Sequence, residues 1–203
     1  CSGGDITGMQ ARLSDPAGPV VAGWRRLAAT QRLITTLQDL GVVTIAAVNG
    51  PAVGIGFDLA LACDFVLVAD TAFFATAFIE RGLVPDGGGM YSLPRRVGLA
   101  RAKELVFSGR RVPADEAVEL GIADRALPAA ELVDAAVALA DEYAQRSPTA
   151  IALAKAILNR SFESTREEVF ARSAAAQAIC YSTEEHRSSV EAFLNTNAQP
   201  GGQ

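Results

Sequence analysis

With 203 residues, 50% of them hydrophobic and 20% charged, the chain carries enough apolar material for one soluble domain with a sizeable core. A formal net charge of -5, with neither a basic run nor basic and aromatic residues interleaved, argues against a nucleic-acid partner. No apolar stretch spans a bilayer's thickness without a charge or a glycine to interrupt it, which argues against a membrane-spanning helix.

The chain opens with Cys1-Ser2-Gly3-Gly4-Asp5. Between there and Val21, the breakers Gly8, Ser14, Asp15, Pro16, Gly18 and Pro19 predict a loop or lid. Residues 24–40 read as a helix: Trp24, Leu27, Ile34 and Leu37 recur at helical spacing, Arg25, Arg26, Arg32 and Asp39 fall mostly off that stripe, and Gly41 is placed to end it. The β-branched run 42–48 predicts a buried strand, followed by a glycine turn and a helix through Ala62. Residues 65–69 predict a second buried strand and 72–74 a short third. Helices follow over 88–97 and 100–107, split by Gly98, then another over 113–120 stopped by Gly121, then a strand over 122–127. From Ala129 the character changes to Ala-rich helices over 130–145, 148–162, 166–181 and 184–194. Ser147-Pro148 starts one of them, and Thr165 with Glu168 forms a capping box for another. The expected organisation is an α/β core over 1–128, a helical region over 129–195 that closes the fold and joins subunits, and a flexible polar tail over 196–203.

The segment Asn49-Gly50-Pro51-Ala52-Val53-Gly54-Ile55-Gly56-Phe57-Asp58 carries the most chemistry. A strand that feeds a glycine turn opening a helix leaves unpaired backbone N–H groups at the helix start, backed by the helix dipole. Such donors suit a negative oxygen, including one that develops during a reaction. Taken alone, the turn is also compatible with a purely structural role.

Three segments together resemble the crotonase (enoyl-CoA hydratase/isomerase) superfamily: 1–5, 49–64 with its Ala62-Cys63-Asp64 ending, and Gly82-Leu83-Val84-Pro85-Asp86-Gly87-Gly88-Gly89 running on to Gly98. The likeness continues through Ala102-Lys103-Glu104-Leu105 and Ala114-Asp115-Glu116-Ala117, so it covers almost the whole chain in order. It implies a spiral of ββα units with a C-terminal helical region. It also implies that a ββα portion of the same core precedes Cys1.

The resemblance further implies that the backbone N–H groups of Ser2 and Ile55 form an oxyanion hole for a thioester, with Gly3, Gly4, Asp5, Gly54 and Phe78 shaping the substrate site. Hydratases of the family use two glutamates; the first position holds Asp58 and the second Phe78, which cannot exchange a proton. Asp86 stands where isomerases of the family keep their proton-shuttling carboxylate, and 76–86 looks most like the ring-1,2-epoxyphenylacetyl-CoA isomerase branch. Both aspartates have structural alternatives, Asp86 as the cap of the next helix and Asp58 as a first-turn carboxylate. Ser2 as a nucleophile has no adjacent base in sequence, and His186 is the only histidine. Asp5 and Asp64 read as turn-holders, and Cys63 as apolar filler.

The expected activity is therefore isomerisation of an enoyl-CoA, with Asp86 and Asp58 as catalytic groups; the alternatives are a hydratase and a silent acyl-CoA-binding or assembly protein. Coenzyme A belongs to the substrate, and no separate cofactor is expected. Cys1, Cys63 and Cys180 have no metal-type spacing and an odd number, which fits reduced thiols in the cytoplasm. The resemblance implies a homotrimer or a hexamer of two trimers. Only two of the 18 basic residues are lysines and 195–200 is uncharged, so contact with coenzyme A phosphates falls to arginines elsewhere.

Overall fold

The computed structural model describes residues 1–197. Of the tail expected over 196–203, residues 198–203 lie outside the described residues. The chain divides into two compact units, Cys1–Asp39 with Val43–Ala140, and Leu40–Val42 with the residues from Asp141 onward.

The first unit begins with two helices, α1 (Ile6–Leu13) and α2 (Pro19–Gln38). This corrects the loop expected up to Val21. Asp5 accepts hydrogen bonds from the Thr7 N–H at 2.9 Å and the Thr7 hydroxyl, so its side chain starts a helix that Gly8 weakens without breaking. The break is confined to the turn after Leu13, and Pro19 opens α2 at a position where its missing N–H costs nothing. Of the predicted apolar stripe on α2, Ile34 is buried and Trp24 is exposed. The helix ends at Gln38 with Asp39 as its cap, ahead of Gly41.

Two small sheets follow. In the first, β1 (Ile45–Val48), β3 (Phe65–Ala69) and β6 (Arg125–Leu127) lie parallel in the order β1-β3-β6. Central β3 is apolar throughout, and residues 66–69 have no exposed surface, as a parallel strand covered on both faces requires. In the second, β2 (Ala52–Val53) pairs parallel with β4 (Phe73–Ala75), which pairs antiparallel with β5 (Val112–Pro113). The two-residue strands β2 and β5 had no readable signal, because neither is long enough to show alternation.

The helices that connect these strands are α3 (Ile55–Ala62), α4 (Gly89–Val97), α5 (Leu99–Ser108) and α6 (Ala114–Glu119). The core joins Phe57, Leu61, Leu67, Phe74, Leu93, Leu105, Ile122 and Leu132, with the Phe57 and Phe74 rings 5.1 Å apart. Polar ties hold the loops to it. Asp64 accepts from the N–H and hydroxyl of Thr44, and Asp124 accepts from the Val66 N–H at 2.6 Å. Arg96 donates to the carbonyls of Cys63, Asp64 and Ile122. Helix α7 (Leu132–Ala144) lays Leu132, Ala135, Ala136 and Leu139 against this core.

The second unit contains α8 (Pro148–Leu158), α9 (Arg166–Tyr181) and α10 (Glu184–Asn197). Ser147 caps α8, and the Thr165–Glu168 capping box is formed on α9. Lys155 is buried and donates to the Val42 carbonyl at 2.9 Å, tying α8 to residues 40–42. Phe162, Phe170, Ile179, Tyr181, Phe193 and Leu194 are exposed. Among the described residues no helix is long and apolar enough to cross a membrane.

Candidate active site

The turn into α3 is built by glycine. Gly54 has φ +55° and ψ -120°, its N–H donates to Ala75 at 2.9 Å, and its carbonyl accepts from Phe57 and Asp58. The chain start is held alongside, since the Val53 N–H donates to the Cys1 carbonyl at 3.0 Å. Gly3 adopts φ +101°, and a Cβ there would lie 2.9 Å from the Val53 carbonyl oxygen. At Gly56 a Cβ would overlap the Cys1 backbone. Close packing of these glycines therefore sets Ser2 beside the first turn of α3. The N–H groups of Ser2 and Ile55 donate to no acceptor among the described residues. Ile55 is the first residue of its helix, where an N–H has no intrahelical partner.

Ser2, Gly3, Gly4, Gly54, Ile55, Phe78 and Asp86 line one cavity of about 280 Å³, which suits the reacting end of a ligand better than a whole acyl-CoA. The Phe78 ring lies over Gly54, with Cζ 3.6 Å from where a Cβ would stand. Ala77 next to it has φ +50°, a costly conformation for a residue with a Cβ, and so marks local strain in this wall. The buried Thr76 hydroxyl donates to the Leu105 carbonyl at 3.1 Å and fixes the same segment from behind.

Two expected site residues lie elsewhere. Asp5 is absent from the cavity wall, and its carboxylate is used by Thr7 at the start of α1. Asp58 is 3% exposed and sits behind the wall, where it accepts the Gly87 N–H at 3.0 Å. Burial is the main cause that pushes its carboxyl up from 3.8 to about 7. The Gly87 N–H opposes this, the charge of Asp86 adds to it, and the Gly89 N–H opposes it again.

Asp86 does not cap α4: Gly88 holds the cap position, with φ +103° and no side-chain cap. Instead its Oδ2 accepts from Arg26 Nη2 at 2.7 Å. Helical spacing places Arg26 off the apolar stripe of α2 and carries no signal for this contact. Arg81, Arg111, Glu80, Phe73 and Leu83 also line the cavity. Glu80 is at the outer rim, its side chain 58% exposed and 3.7 Å from Arg81. Arg111 stacks over Phe73, 4.5 Å from the ring centroid. The three cysteines are free, and no group of metal-ligating residues occurs among the described residues. His186 packs edge-on against Tyr181 in the second unit.

Chemically, two unspent backbone donors, one of them at a helix start, border a common space with the Asp86 carboxylate, while Glu80 stands at its outer rim. Donors preset for a developing oxyanion make a neighbouring C–H acidic, and a carboxylate within reach accepts the proton.

Comparison with known proteins gives this arrangement a family. The profile described as Enoyl-CoA hydratase/isomerase matches residues 1–200. A carnitinyl-CoA dehydratase of Proteus mirabilis is 44% identical over 135 residues, which are 66% of this chain and 52% of that protein. The mitochondrial methylglutaconyl-CoA hydratase of Rattus norvegicus is 34% identical over 167 residues, 80% of this chain and 51% of the relative. The chain thus spans about half the length of these curated relatives. The crystal structure of an enoyl-CoA hydratase/isomerase from Cupriavidus metallidurans CH34 superimposes with a TM-score of 0.89 at 41% identity, covering 95% of this chain and 72% of the other. The chain has the crotonase fold and belongs to the enoyl-CoA hydratase/isomerase family.

Proposed function

We propose that the protein shifts a double bond in an enoyl-CoA thioester. The observation that carries this reading is the cavity itself: Asp86 lines the same space as Ser2, Ile55 and Phe78, while Asp58 is buried outside that lining. The thioester oxygen takes hydrogen bonds from the two N–H groups. Asp86 removes a proton from C2 of a 3-enoyl-CoA, and the electrons of that C–H bond delocalise into a dienolate held by the oxyanion hole. Asp86 then returns the proton to C4, leaving the conjugated 2-enoyl-CoA. Atoms and charge balance without water or a redox partner. Coenzyme A is part of the substrate.

The second reading is a hydro-lyase, favoured by the names of two relatives, a dehydratase and a hydratase. It needs a second proton-exchanging group beside the water. Phe78 offers none, and Asp58 would have to turn out of its N–H cradle. We place the enzyme in the cytoplasm as a homotrimer or a hexamer. The exposed aromatic and aliphatic residues of 162–194 are the support for subunit contacts through that region.

The test is to incubate the protein with a 3-enoyl-CoA and follow ultraviolet absorbance and product mass. Conjugation without mass change supports isomerisation. Addition of water selects the hydro-lyase, and binding without turnover selects a silent acyl-CoA-binding protein.

A further inference from the structure

Asp86 is held from three sides. Gln31 Nε2 of α2 donates to its backbone carbonyl at 3.2 Å. The next peptide N–H, that of Gly87, is bound by Asp58. Its side chain is held by Arg26, which engages Oδ2 alone. Oδ1 accepts no hydrogen bond among the described residues, and the carboxylate, 17% exposed, borders the cavity. Among the described residues, Arg26 spends no other side-chain nitrogen on a protein acceptor, and its Nε is buried without a partner. Burying a guanidinium nitrogen without a hydrogen bond is unfavourable, and a single-point contact to one carboxylate oxygen is unusual for a group built for two-point binding. The arrangement leaves one carboxylate oxygen occupied and the other open.

From this geometry we infer that Arg26 is a positioning residue for the reaction: it clamps Oδ2 of Asp86 so that Oδ1 presents to the substrate carbon. The inference rests on the proposed role of Asp86 as the proton carrier. It separates two jobs on α2, with Gln31 fixing the main chain and Arg26 fixing the side-chain torsions. A carboxylate free to rotate about its side-chain torsions spends much of its time out of reach of two carbons in succession. A clamp on one oxygen limits that loss without occupying the basic lone pair that accepts the proton. Arg26 itself borders the cavity, so the test must separate action through Asp86 from direct contact with ligand.

A double-mutant cycle on the full chain reads this directly. The measured quantity is exchange of the C2 hydrogens of an acyl-CoA in deuterated water, alongside kcat and KM for isomerisation. Arg26→Met is expected to lower exchange and kcat by about tenfold with KM changed less than about twofold, and Arg26→Lys to recover part of the loss because an ammonium still reaches one oxygen. Asp86→Asn is expected to lower both by about a hundredfold. In the Asp86→Asn background, Arg26→Met should cause no further loss. Equal losses in both backgrounds overturn the inference, because Arg26 then acts on the fold or on the ligand directly. So does an unchanged Arg26→Met beside an inactive Asp86→Asn, and in that case the proposed function stands. Full exchange in Asp86→Asn overturns the proposed function and this inference with it. If Arg26→Met fails to fold, Arg26→Lys alone decides: kcat lowered with KM kept supports the clamp, and wild-type kcat or a KM-only effect overturns it.

Discussion

Replacing Asp58 with Asn should become increasingly stabilising, relative to wild type, as pH rises through neutrality. The carboxyl is 3% exposed and burial raises it from 3.8 to about 7, so the folded state holds its proton more tightly than the unfolded chain. Stability from this group is fully present below about pH 4 and is lost as pH rises through about 7, where the buried carboxylate must form. The whole range is about three pH units at about 1.4 kcal/mol each, an upper limit of about 4 kcal/mol that relaxation and water penetration reduce. Between pH 5 and pH 8 the remaining change is about 2–3 kcal/mol. Asparagine matches the protonated acid in shape: its oxygen accepts the Gly87 N–H, and it never ionises. Urea unfolding of wild type and Asp58→Asn at pH 5, 6, 7 and 8 gives the difference directly. The variant is expected to lie within about 1 kcal/mol of wild type at pH 5 and to gain about 2 kcal/mol or more on it by pH 8. A difference that stays constant within about 0.5 kcal/mol over that range would refute the coupling of this carboxyl to folding.

Three further outcomes are expected. Asp86→Asn should lower isomerase turnover by about two orders of magnitude while acyl-CoA affinity stays within about twofold, measured by steady-state kinetics and calorimetry. Because its partner Arg26 is 35% exposed, the same change should cost the fold only about 1 kcal/mol. Thr165→Ala removes the side-chain half of the α9 capping box, leaving the residue-165 N–H on the Glu168 carboxylate, and should destabilise the protein by about 1 kcal/mol in thermal or urea unfolding. Sedimentation at micromolar concentration should show a trimer or hexamer, and a variant with Phe170 and Phe193 both changed to serine should shift toward monomer.

The glycine turn into α3 was legible in the sequence because backbone geometry there depends on glycine, and glycine is visible: Gly3, Gly54 and Gly56 each sit where a Cβ is strained or excluded. Phe78 and Asp86 were placed in the same cavity through the motifs around them. The surroundings of the two aspartates were not legible. Whether the first-turn carboxylate of α3 meets ligand or protein depends on the 85–89 turn packing over it, a contact between residues about thirty apart that no local spacing encodes. Arg26 shows the same limit: helical periodicity assigns a face, but the turn that occupies that face comes from 60 residues downstream. Helix α1 was missed for a local reason, since breaker residues were weighed as a group although only those after Leu13 interrupt the backbone.

The most direct test of proton transfer by Asp86 is a label-transfer measurement. A 3-enoyl-CoA deuterated at C2 is incubated with the protein, and the product is read by mass spectrometry and NMR. One carboxylate serving both carbons predicts 2-enoyl-CoA that carries part of the deuterium at C4, with no 3-hydroxyacyl-CoA, and loss of that product in Asp86→Asn. A 3-hydroxyacyl-CoA as the main product, or label transfer undiminished in Asp86→Asn, would contradict it.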